Sequence, residues 1–109
     1  MERVVKVGRD FSRFPAGRYK SDGPYSGELF RERFLEPTIR AGDMAIVDLA
    51  GVEGYGSSFL EEAFGGLARI SDLPTDRIES YISIMSNDPD LEAFVEDAKD
   101  YLNEAIANR

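Results

Sequence analysis

The chain has 109 residues, 42% of them hydrophobic, which is enough for one compact domain that folds without help from a disulfide or a metal. Cys and His are both absent, which excludes thiolate nucleophiles, imidazole bases and zinc sites built on those residues. A formal charge of −8, from 21 acids and 13 bases, repels nucleic acid and anionic membrane, and no apolar stretch approaches the roughly 20 residues that span a bilayer.

The opening Met1-Glu2-Arg3 leads into a short apolar run without a secretory core, so the chain reads as a single cytoplasmic domain over residues 1–109 with no nucleic-acid or membrane partner. Val4, Val5 and Val7 predict a first strand, and Gly8-Arg9-Asp10 a turn directly after it. A further short strand is expected around Phe11. From Phe14 to Gly27 the chain carries Pro15, Gly17, Gly23, Pro24 and Gly27, which predicts a long loop.

Ser26 is the expected N-cap of a first helix whose apolar side is Leu29, Phe30, Phe34, Leu35 and Ile39. Pro37 should bend it or end it near Glu36. Met44 to Leu49 is nearly continuously apolar between Gly42 and Gly51, the pattern of a central strand buried on both faces. After the turn Gly51–Gly56, Leu60, Ala63, Phe64 and Leu67 fall at i, i+3, i+4 and i+7 on one helix face, and Ser58 with Glu61 has capping-box spacing. Gly65-Gly66 inside that helix costs stability relative to Ala, so a close approach to a neighbouring element is expected there. Ser71 to Asp76 reads as a polar connection around Pro74, and Tyr81 to Met85 as the next strand. Asp88-Pro89 then opens a last helix with an apolar stripe of Leu91, Phe94, Val95, Ala98, Tyr101, Leu102 and Ala105 and an acidic face of Glu92, Glu96, Asp97, Asp100 and Glu104.

The order βαβαβα predicts an α/β sandwich of three to five strands, at least partly parallel, with three helices. Loops that leave parallel strands for helices gather at one end of such a sheet, where ligands and partners usually bind.

Met44 to Leu67, MAIVDLAGVEGYGSSFLEEAFGGL, has the layout of the STAS signature of bacterial anti-sigma-factor antagonists: an apolar strand ending in Asp, a short turn, a pair of serines and a helix. More specifically, Phe14 to Leu67 resembles a STAS-like family of unknown function that pairs a loop like FPAGRYKSDGPYSGE with a helix start like GSSFLEEAFGGL. The resemblance implies a STAS-like fold and a non-catalytic, regulatory role in a bacterial cytoplasm. The partner it implies is another protein, a kinase-like ATP-binding regulator among the options. By position, Ser57 matches the serine that those antagonists use as phosphate acceptor. Gly56 stands where they have Asp, and Phe59 where they have Gly.

Two readings of the site residues stay open at this level. Ser57 and Ser58 either cap the helix or present a hydroxyl that carries a phosphoserine switch. Arg13 and Arg18 either keep a loop soluble or join the helix start in an anion site. Tyr19, Tyr25, Tyr55 and Phe59 complete the expected docking surface. The leading expectation is a protein-interaction module centred on Ser57 and the Arg13–Gly27 loop; the alternative is a sensor for a small ligand bearing phosphate or carboxylate. No enzymatic activity, cofactor or metal is expected.

Overall fold

The computed structural model describes all 109 residues. Strands β1 (Glu2–Lys6), β2 (Met44–Asp48) and β3 (Ile82–Met85) form one sheet in the order β1-β2-β3, with both pairs parallel. Register places Val5 beside Val47 and Val47 beside Ile84, and these three point into the core. Because side chains alternate along a strand, Val4, Ile46 and Ser83 sit on the opposite face.

Helix α1 spans residues 27–40, α2 residues 57–68, α3 is Thr75–Tyr81, and α4 is Glu92–Ala107, entered through one 3₁₀ turn at Pro89–Leu91. Both crossovers step the same way across the sheet. Right-handed crossings therefore put α1 and α2 on the same face, where α4 packs against α2 and β3. One cluster of 24 buried residues lies between this helical layer and the sheet. Its centre is aromatic, with Phe30 in contact with Phe34, Phe59 and Phe64 at ring separations of 5.3, 6.0 and 6.4 Å.

Most expected elements are present, with four differences. There is no strand at Phe11. Val7–Phe11 is a single wide helical turn closed by the Ser12 amide on the Val7 carbonyl at 2.9 Å, and the Asp10 carboxylate accepts from the Lys6 amide at 2.8 Å. The turn directs Val7 and Phe11 to the same core, which strand alternation at this spacing also permits, so the apolar pattern could not decide between them.

Second, of the two outcomes expected at Pro37, α1 does not end there. The turn before it widens at Arg31–Leu35, where the Glu36 amide bonds the Arg31 carbonyl, and helix then continues to Arg40. A wide turn of this kind absorbs the hydrogen bond that proline cannot donate. Third, α3 occupies part of the expected polar connection, so β3 starts at Ile82. Ile78 is its one fully buried side chain, too little to show a periodic stripe. Fourth, the sheet has three strands, the low end of the expected range, all parallel, and α3 raises the helix number above three. No helix is long and apolar enough to cross a membrane.

Candidate functional site

The three parallel strands end together at Lys6, Asp48 and Met85, and the loops that follow make the carboxyl edge. Asp48, buried at the end of β2, organises them. Its Oδ1 accepts from the Ala50 amide at 2.9 Å and its Oδ2 from Asn87 Nδ2 at 3.4 Å, tying the loop after β2 to the loop after β3. The loop after β1 is equally close: a Cβ on Gly8 would stand 2.5 Å from the Gly51 carbonyl oxygen, and Gly51 itself has φ +88°. Two glycine backbones in contact thus floor an open cleft of about 630 Å³, walled by Arg9, Arg13, Glu53, Asp88 and Asp90. Arg9 is already paired with Asp10 at 2.7 Å, whereas the Arg13 side chain is exposed.

The loop after β2 delivers the head of α2. Gly56, in extended conformation, is the N-cap, and no side chain caps the helix. Ser57 and Ser58 are therefore the first two helical residues, both exposed, and their hydroxyls do not serve the capping role that their spacing suggested. The expected partner of Ser58, Glu61, is engaged elsewhere. Arg69 grips it with Nη1 2.7 Å from Oε2 and Nη2 2.9 Å from Oε1, and Arg18 donates to it from the long loop. Hydrogen bonds from Arg69 and then Arg18 hold the Glu61 carboxyl below the ordinary carboxylate range, although partial burial opposes them.

Arg18 also lies 3.5 Å from Glu62, which Arg31 of α1 engages in turn with Nη2 3.0 Å from Oε2. Arg31 Nη1 reaches Glu36 at 2.8 Å. Three guanidinium groups therefore meet three carboxylates between the loop, α1 and α2. This cluster leaves no local signature in the sequence, because its members are spread from Arg18 to Arg69 with no periodic relation. Its consequence for the predicted site is direct. Arg18 is neutralised rather than offered to a ligand, and it meets α2 while Arg13 lines the cleft, so the two arginines do not combine in one anion site.

The long loop is well ordered. The Ala16 amide bonds the Tyr25 carbonyl at 2.9 Å, the Gly27 amide the Gly17 carbonyl at 3.0 Å, and the Glu28 amide the Arg18 carbonyl at 3.0 Å. Tyr25 stands edge-on to Phe11 at 5.6 Å and remains exposed, as does Tyr19. Lys20 is paired with Glu32 at 2.6 Å. Arg18 contacts Glu61 and Glu62, one helical turn beyond Ser57 and Ser58, so the loop lies against the first turns of α2.

Tyr55 and Phe59 do not belong to that surface. The Tyr55 hydroxyl donates to the Leu49 carbonyl at 2.6 Å inside the core, and burial, aided by the charge of Asp48, pushes its pKa far above the ordinary phenol value. Phe59 is 1% exposed and packs on Tyr55, Phe30 and Phe11 at ring separations of 5.8, 6.0 and 6.4 Å. Its place was readable in the sequence, because Phe59 and Ala63 extend the apolar stripe of α2 by one i, i+4 pair. Pointing inward, it leaves the approach to Ser57 open.

A parallel sheet of three strands, helices over one face, and an exposed helix head at the carboxyl edge define a small α/β domain of the STAS-like kind. The family model described as the STAS-like domain of unknown function (DUF4325) matches residues 26–92, and the chain belongs to this family. The match runs from the N-cap of α1 through β2, α2 and β3 to the start of α4. A comparison with curated proteins and one with solved structures found no match.

Proposed function

We propose that this domain is a non-catalytic regulatory module that docks a cytoplasmic protein on the surface shared by the head of α2 and the Arg13–Gly27 loop. The observation that carries the reading is the state of Ser57 and Ser58: exposed at the start of a helix, at the carboxyl edge, with no capping duty. Tyr19 and Tyr25 supply exposed aromatic area on the neighbouring loop, the kind of side chain that anchors protein interfaces. The resemblance to anti-sigma-factor antagonists supports a kinase-like ATP-binding regulator as the partner and Ser57 as the residue it phosphorylates.

Charge supports the sign of such a switch. A phosphate on Ser57 adds close to two negative charges one turn from Glu61, whose two arginines are already engaged. Repulsion there disturbs the docking surface and favours release. The test is affinity capture from native cells with wild type, Ser57→Glu and Ser58→Arg, together with peptide mass spectrometry of Ser57. A specific partner held by wild type and lost by both variants supports the proposal. Identical protein sets on all three would contradict it.

A second reading, a sensor for a small anion, rests on exposed Arg13 in the cleft at the carboxyl edge, where Glu53, Asp88 and Asp90 oppose it. It is tested by melting curves with inorganic phosphate and citrate. Stabilisation that Arg13→Ala removes and Arg18→Ala retains would support it.

A further inference from the structure

All-parallel sheets are almost always covered on both faces. This one is covered on one. Opposite the helical layer, register aligns three rows: Glu2 with Met44; Val4 with Ile46 and Ser83; Lys6 with Asp48 and Met85. Asp48 is turned into the loops and buried, but Val4 is 50% exposed and Met44, Ile46 and Met85 are each partly exposed. The apolar sequence of β2 predicts burial on both sides, so the sheet carries an apolar face that the chain alone does not cover.

We infer that this face is covered by a second copy of the same chain, packed sheet on sheet. The charge pattern specifies that occupant. Glu2 and Lys6 flank Val4 on the same strand and the same face, two residues to either side. A two-fold axis running across the strands at the level of Val4, Ile46 and Ser83 lays Val4 and Ile46 against their own copies and brings Glu2 of each chain over Lys6 of the other. Val4, Ile46 and the Glu2–Lys6 charges are self-complementary under that single operation, while Ser83 meets its own copy at the sheet edge and Met44 lies over Asp48, whose carboxylate is turned into the loops. Aligned sheets pack about 10 Å apart with strands within about 30° of one another, which this arrangement allows.

Three strands of four or five residues make a patch of roughly 15 by 15 Å. The interface therefore falls below the ~1,200 Å² of a stable complex, and the dimer is weak and concentration-dependent. The charge of −8 on each copy opposes it and is screened by salt. The helix layer with Ser57 lies on the other side of the sheet, so the dimer leaves the proposed docking surface free.

Sedimentation equilibrium at near-physiological salt tests the inference. Wild type should show a reversible monomer–dimer equilibrium below about 1 mM. Val4→Glu, at a half-exposed position, should weaken it at least about tenfold while circular dichroism and melting stay unchanged. Glu2→Lys and Lys6→Glu should each weaken it about three- to tenfold, and the double swap Glu2→Lys/Lys6→Glu should restore it to within about twofold of wild type. A wild-type chain that stays monomeric over this range overturns the inference and leaves the face to a different chain. So does a dimer indifferent to Val4→Glu, or a double swap no better than either single one.

Discussion

Arg31 and Glu62 join α1 to α2 through a guanidinium and a carboxylate that are 11% and 9% exposed, with Nη2 3.0 Å from Oε2. Gly66 makes the room, since a Cβ there would lie 2.7 Å from Arg31 Nε. The helix-weakening glycine and the interhelical ion pair are thus one feature. Taking Arg31 away leaves the buried Glu62 carboxylate with only the 3.5 Å approaches of Arg18 and Arg69, so Arg31→Met should cost about 3 kcal/mol in urea unfolding. Replacing the pair together, as Arg31→Met with Glu62→Leu, should cost clearly less than the single change.

Gly27 governs the other contact between these helices. A Cβ at this position would stand 2.5 Å from the Phe59 carbonyl oxygen and 3.1 Å from the Ala63 amide, both backbone atoms that cannot swing aside. Alanine is the better helix former by about 1 kcal/mol. Gly27→Ala should nevertheless destabilise the fold by about 2 kcal/mol, because α1 must move off α2. A neutral result in thermal unfolding would mean that the helices pack less closely than described.

Phe59 separates core from surface in the same helix. Phe59→Asp places a carboxylate among Phe11, Phe30 and Tyr55 and should prevent stable folding, a loss of about 4 kcal/mol or more. Ser58→Arg, one residue earlier but exposed, should stay within about 0.5 kcal/mol of wild type. Chemical unfolding of the two variants side by side checks the contrast.

Elements with a local signature were legible. Ser26 accepts from the Leu29 amide at 3.1 Å and Asp88 from the Asp90 amide at 3.0 Å, as their positions before helical stretches implied. The strand at Met44–Asp48 and the approach of other groups to Gly65 and Gly66 were equally open to reading. What stayed hidden depends on partners distant in the chain. Arg18 looks available for an anion in the sequence because Glu61 and Glu62 are 43 and 44 residues away, and Phe59 looks exposed because it follows two polar serines, although its register with Ala63 places it on the apolar stripe. The short helix at Thr75–Tyr81 buries one side chain fully and so left no stripe to find.

Acid should loosen the loop. The Glu61 carboxyl titrates below its ordinary value, through the hydrogen bonds from Arg69 and Arg18, so its contribution is fully present above the unfolded value of about 4.3 and is lost as pH falls through the lower folded one. Asp10 beside Arg9 acts in the same direction from an exposed position. Unfolding free energy should therefore fall below about pH 4.3. Glu61→Gln should reduce stability at pH 7 and flatten that acid limb. An unchanged acid limb in Glu61→Gln would remove Glu61 from the account.

The docking surface is tested most directly by photocrosslinking in native cells, with p-benzoylphenylalanine placed singly at Ser58, at Tyr25 and, on the outer side of α4, at Lys99. A crosslink to the same partner protein from Ser58 and Tyr25, absent from Lys99, is the predicted result. Crosslinks from Lys99 alone, or none from Ser58 and Tyr25 under any growth condition, would contradict it.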